Sequence, residues 1–144
     1  HAAASAVWDG YVRAGRSCDA AAMARIFHPA CNLTFATPEG VAVVSCGDFC
    51  ERVAKRWEMD AHKAFAHLKE DPRSSAADSL ISLDFAGPEV CRAMLRIGYP
   101  PFLYTDILLL LKTSAPLNGR DGGWWIVAKS SANVPFLAEE ARLE

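Results

Sequence analysis

Apolar positions recur at helical spacing as far as Trp57 and at strand spacing from Leu80 onward. Val7, Tyr11 and Ala14 mark a first short helix over Ala6 to Ala14, with Gly15 as its stop. Ser17 can cap a second helix, in which Ala22 and Ile26, and Met23 and Phe27, are i, i+4 pairs until Pro29 ends it. Cys31 to Phe35 and Val41 to Val44 are β-rich runs on either side of Thr37-Pro38-Glu39-Gly40, which predicts a hairpin. Ser45, three residues before Asp48, signals the start of a third helix whose stripe is Phe49, Val53 and Trp57.

Asp60 to Ala77 reads as a loop by composition. Four β-runs follow: Leu80 to Phe85, Val90 to Tyr99, Phe102 to Lys112 and Trp124 to Ser131. Gly87-Pro88, Gly98 with Pro100-Pro101, and the polar stretch Thr113 to Gly123 separate them, which predicts an antiparallel meander. Helices first and strands after is an α+β plan in which helices cover one face of a sheet. Strands this long must twist, and a sheet curled over a helix layer encloses a hollow.

The 144 residues suffice for one substantial core, so a single domain over 1–144 is expected. His1 to Ser5, with neither Met nor an apolar leader, read as a cloning remnant or a disordered end. The 15 basic residues are scattered among 17 acidic ones, which argues against nucleic-acid binding. The longest apolar run, Ile107 to Leu111, is far short of the roughly 20 residues of a bilayer-crossing helix, so no membrane partner is expected. Five cysteines outside any CxxC spacing read as reduced thiols in a cytoplasmic protein. Cys46 and Cys50 share a helix face without a His or a second Cys pair nearby, and no metal is expected.

Alternation puts Tyr104, Asp106, Leu108 and Leu110 on one face of their strand, and Leu103, Thr105, Ile107, Leu109 and Leu111 on the other. Both faces are apolar and three helices cover only one, so a second copy of the chain is expected over the convex side. A hairpin symmetric about Gly98 to Pro101 sets Met94 opposite Asp106 and Arg96 opposite Tyr104. It gathers a cation, a phenol and a carboxylate on one face. Burial disfavours a charged Asp106 while Arg96 favours it, and the sequence does not rank the two. Asp106 then has three readings: a proton-transfer group, a ligand anchor, or a carboxylate that merely fixes the sheet. His28 at a helix exit reads as a partner for terminal carbonyls, and His62 and His67 as solvated loop residues. Trp8 and Trp125 are expected at the rim or the dimer contact, and Lys129 opposite Trp124 as an interface or salt-bridge residue.

Several motifs, taken in order, resemble the NTF2-like (SnoaL-like) superfamily and its branch named for lumazine binding. They are Tyr11-Val12 with Gly15 and Asp19, Ile26-Phe27-His28-Pro29, Ser45 with Phe49, Ile81-Ser82-Leu83-Asp84, Ala93-Met94-Leu95, Tyr104-Thr105-Asp106-Ile107-Leu108 and Gly123-Trp124-Trp125-Ile126-Val127-Ala128-Lys129. The resemblance implies a cone-shaped α+β barrel, three N-terminal helices on a strongly curved antiparallel or mixed sheet, with a pocket between them and usually a homodimer. The long loop Thr113 to Gly123 departs from the tight turn of relatives and leaves the register of the last two strands open. Relatives include isomerases, dehydratases and non-catalytic modules, so fold alone does not fix function.

The expected role is therefore binding of a small apolar or planar molecule, without cofactor, at Tyr11, Trp57, Met94, Arg96, Tyr104, Asp106, Leu108 and Trp124. An enzymatic alternative is an isomerase or dehydratase with Asp106 as acid/base and Tyr104 as oxyanion donor. A third is a non-catalytic association module using the convex sheet. Whether the chain catalyses anything is open at this level.

Overall fold

The computed structural model describes residues 1–59, 78–99, 102–117 and 119–135. Its first residues, expected as a disordered end, form α1 (Ala2–Val7), started by His1 Nδ1 accepting from Ala3 N at 3.1 Å. Ala3 is fully buried, because a methyl side chain lets the helix lie close to its neighbours. The rod continues through a π-helical turn (Trp8–Val12) into α2 (Arg13–Ser17), beyond the predicted stop. Gly15 stays helical, and Cys18 ends the rod by adopting the left-handed conformation, φ 54°.

The cap of α3 (Ala20–Ile26) is Asp19, whose carboxylate accepts from Ala22 N at 3.0 Å. Ser17, the expected cap, instead donates back to Arg13 O at 2.8 Å. Gly10 lets the rod approach α3, since a Cβ there would stand 3.0 Å from Ile26 Cδ1. The hairpin of β1 (Phe27–Thr37) and β2 (Gly40–Ser45) leads into α4 (Cys46–Glu58), where Ser45 Oγ accepts from Asp48 N at 3.1 Å as the spacing predicts. His28 sits in β1, where its Nδ1 accepts from Ala30 N at 3.1 Å, and among the described residues it serves no helix carbonyl. The segment 60–77, with His62 and His67, lies outside the described residues.

The later strands are β3 (Ser79–Phe85), β4 (Val90–Tyr99), β5 (Phe102–Thr113) and β6 (Gly123–Pro135). One six-stranded sheet results, in the order β2-β1-β6-β5-β4-β3. β1 runs parallel to β6 and the other pairs are antiparallel, so the sheet is mixed. The continuous rod, α3 and α4 make three helical bodies on an α+β fold. Leu33, Leu95, Leu108, Leu110 and Ile126 of the sheet meet Val7, Met23, Ile26 and Val53 of the helices in one core. Fully burying such aliphatic side chains contributes about 1.5–3 kcal/mol each. On β5, Asp106, Leu108 and Leu110 are buried while Ile107 and Leu109 remain 41% and 39% exposed, which is the predicted alternation.

Two details of register decide what reaches the interior. In the β4–β5 hairpin Leu95 faces Asp106 and Ile97 faces Tyr104, in the register that pairs Tyr99 with Phe102. The expected pairing is off by one position, which sends Met94 and Arg96 to the opposite face. In the β5–β6 pair Leu110 faces Ile126 but Leu109 faces Ala128, leaving Val127 as the extra residue of a bulge. Thr113 pairs with Gly123 across the long loop, so the register of these two strands is continuous apart from that bulge. The bulge reverses the alternation and puts Lys129 on the same face as Trp124 and Ile126.

Candidate functional site

A cavity of about 320 Å³ lies between the helices and the inner sheet face. Val12, Met23, Phe35, Phe49 and Ile97 form apolar walls, and Tyr11, Asp106 and Lys129 are the polar groups of its most buried part. Each comes from a different element: Tyr11 from the π-helical turn, Asp106 from β5, and Lys129 from β6 just past the bulge. Asp106 is 3% exposed and Lys129 8%, so both charges are almost wholly removed from water.

Tyr11 Oη donates to Asp106 Oδ2 at 2.5 Å. Lys129 Nζ stands 3.9 Å from the same oxygen, within ion-pair reach but beyond hydrogen-bond distance. The ammonium also lies 4.5 Å from the Phe49 ring centroid and 5.0 Å from that of Tyr11, both within cation–π range. Asp106 Oδ1 is buried with no hydrogen-bond partner among the described residues. Burial pushes the Tyr11 phenol well above its ordinary value, and the charge and hydrogen bond of Asp106 push the same way against a weaker pull from Arg56. Burial lowers the Lys129 ammonium, Asp106 opposes that, and the Arg56 charge adds to it. The site thus offers an acceptor and a cationic donor next to each other, surrounded by apolar surface.

Toward the rim lie Arg16, Arg52, Arg56, Tyr104, Ser131 and Asn133. Arg16 is ion-paired to Asp78 and donates to Gly98 O at 3.3 Å, while Asp78 accepts from Gly98 N at 3.0 Å, which ties α2 to β4. Of the side chains the sequence nominates, Tyr11, Tyr104 and Asp106 line this cavity. Leu108 and Trp124 are buried in the core, Trp124 against Phe85 at 5.9 Å, and neither lines it. Trp57 is 53% exposed, one turn beyond the buried end of its stripe, and Arg96 is exposed on the outer face with Met94 half-buried there. Trp125, expected at a rim or contact, is buried beneath the Arg120 guanidinium at 4.0 Å.

Periodicity could have found Arg52 and Arg56, since they flank the Phe49–Val53 stripe at helical spacing. Lys129 had no such signal, because the bulge that turns it inward leaves no mark in the alternation. Among the described residues no cluster of His, Cys, Asp or Glu is placed to hold a metal ion, and no helix is long and apolar enough to cross a membrane.

The family model described as "Putative lumazine-binding" matches residues 1–131. None of the curated proteins matches. Among solved structures, an NTF2-like protein of unknown function from Silicibacter pomeroyi is similar at a TM-score of 0.64 and 16% identity, over 92% of this chain and 93% of that one. Another, from Shewanella baltica, gives 0.61 and 14% over 90% and 89%. A ketosteroid isomerase-like protein from Erwinia carotovora atroseptica gives 0.58 and 12% over 90% and 92%. At such identities these likenesses show the fold alone, which is NTF2-like. The family match spans most of the sequence, and the chain belongs to the family described as "Putative lumazine-binding".

Proposed function

We propose that this protein binds a small molecule with a flat, largely apolar body in the cavity between its helices and sheet. The observation that carries this reading is the buried Oδ1 of Asp106, unpartnered among the described residues, beside Tyr11 and Lys129. A buried acceptor without a donor costs free energy, and a ligand N–H or O–H supplies what the described residues do not. The volume of about 320 Å³ is at the small end of ligand pockets and suits a two-ring compound. The family's description points the same way, toward a small-molecule ligand. Thermal-shift screening of planar compounds tests the reading: stabilisation by a hit should be abolished in Asp106→Asn, and retention of full stabilisation would refute it.

The enzymatic alternative draws support from the short Tyr11–Asp106 hydrogen bond, a phenol and a carboxylate coupled inside an apolar cavity. Tyr11, on this reading, takes the donor part first expected of Tyr104. A variant Asp106→Asn that keeps ligand affinity but loses turnover would favour it.

Self-association through the convex face belongs to the same proposal, because Ile107 and Leu109 leave apolar surface exposed on β5. The same surface serves an association module equally well, and sedimentation with and without a ligand separates the two. Five free thiols, four of them buried, support residence in a reducing compartment such as the cytoplasm.

A further inference from the structure

We propose that Lys129 is a carbonyl-capturing lysine, and that the ligand is a flat apolar aldehyde or ketone which this amine takes as an imine. This rests on the reading of the cavity as a binding site and adds the class of molecule and a covalent step. Of the described lysines, Lys55 and Lys112 are exposed, whereas Lys129 is buried and borders the open volume of about 320 Å³. Its Nζ has the Phe49 and Tyr11 rings on its flanks at 4.5 and 5.0 Å, so a carbonyl that reaches it is enclosed by aromatic surface. The Asp106 carboxylate stands 3.9 Å away, where a small shift brings the two groups within proton-transfer distance. Burial also pulls the ammonium down from its ordinary value, so the neutral, nucleophilic amine is reached more readily than at a surface lysine.

The step balances with these groups alone. Asp106 takes a proton from the ammonium, and the freed lone pair attacks the carbonyl carbon while the π electrons of C=O move to oxygen. A second nitrogen proton passes to that oxygen and gives a carbinolamine. Asp106 then returns its proton to the hydroxyl, the C–O bond breaks, water leaves, and the nitrogen lone pair closes the C=N bond. One water is released, an iminium replaces the ammonium, and the carboxylate is restored, with no oxidant or further reactant. Asp106 Oδ1, which accepts no hydrogen bond among the described residues, is an open position for the proton in transit, while Tyr11 holds the carboxylate through Oδ2. The iminium keeps a cation beside Asp106, and the apolar body of the ligand meets Phe35, Phe49 and Ile97.

Incubation of the whole chain with naphthaldehyde and cyanoborohydride, which reduces an imine to a stable secondary amine, tests this when followed by peptide mass mapping. Lys129 should gain the mass of the aldehyde less one oxygen atom, about tenfold faster than Lys55 or Lys112, because a bound carbonyl is held beside it. Naphthylmethanol has the same shape without the carbonyl; it should raise the thermal midpoint and slow the labelling of Lys129 while leaving the exposed lysines unaffected. Stabilisation by naphthylmethanol with Lys129 labelled no faster than the exposed lysines overturns the inference and leaves the cavity reading standing. Neither stabilisation nor preferential labelling overturns both. Fast labelling of Lys129 that naphthylmethanol does not slow overturns the placing of the carbonyl in the cavity.

Discussion

Lys129 Nζ lies 3.9 Å from Asp106 Oδ2 across the β5–β6 pair, in a place it reaches only because Val127 bulges out of register. Breaking such a buried pair from one side leaves a charge without compensation. Lys129→Met is expected to destabilise the protein by about 3 kcal/mol, and the double variant Lys129→Met, Asp106→Asn to recover most of that. Urea denaturation measures both, and a double variant no more stable than the single would show that the pair is not coupled.

Tyr11 supplies the one close donor that Asp106 has among the described residues. Tyr11→Phe keeps the ring against Phe27, 6.1 Å away, and removes only the hydroxyl. The expected loss is about 1.5–3 kcal/mol, the worth of a hydrogen bond to a charged group. A loss under about half a kcal/mol in chemical denaturation would contradict the buried bond.

Lys129 gives stability a pH signature. Its folded-state value is lowered from 10.5, so the folded chain gives up this proton before the unfolded chain does. Between the two values the unfolded state binds more protons, and stability rises with pH. Relative to Lys129→Met, the unaltered protein should therefore gain ground as pH rises toward 10.5. Tyr11 works in the opposite sense: its value is raised above 10.0, so its contribution is complete below that and is lost as pH climbs beyond it. Denaturation at stepped pH reads the difference between the proteins, and a difference independent of pH would contradict the burial of the ammonium.

Gly10 is the contact point of the rod with α3. Gly10→Ala forces a methyl against Ile26 and should cost about 1–3 kcal/mol, with partial rescue by Ile26→Val, which removes the Cδ1 atom in the way. Melting curves of the single and double variants check this, and an unaffected single variant would mean that the rod stands farther off.

Ile107 and Leu109 are the apolar centre of the outer face of β5. The chain is expected to sediment as a dimer, and Ile107→Lys with Leu109→Lys as a monomer of nearly unchanged melting temperature. A wild-type monomer at micromolar concentration would remove the second copy as the cover for this face.

Much of the fold is legible in the sequence because it is written in local periodicity. The Ser45 cap with the Phe49–Val53 stripe, the four late strands and the two faces of β5 are each set by neighbours a few residues apart. The site is less legible because it depends on offsets of one residue between distant strands. The register that pairs Tyr99 with Phe102 moves Arg96 away from Asp106, and the bulge at Val127 moves Lys129 toward it, so one expected cation is replaced by another. Trp57 continues a helical stripe beyond the point where α4 still covers the sheet, and periodicity alone does not say where that cover ends. Helix ends are hard to read for a related reason: Gly15 and Ser17 have the right chemistry, but Cys18 and Asp19 occupy the positions where the rod turns.

The central claim is that a buried carboxylate, a phenol and an ammonium together hold a ligand inside the cavity. A crystal structure grown with naphthoate and naphthamide, each in turn, tests it most directly. The account predicts density for the ring system between Phe35, Phe49 and Ile97, with the amide N–H of naphthamide about 2.7–3.2 Å from Asp106 Oδ1. A floor in which a protein donor already satisfies Oδ1 and side chains fill the space, with both compounds absent or bound elsewhere, would contradict it.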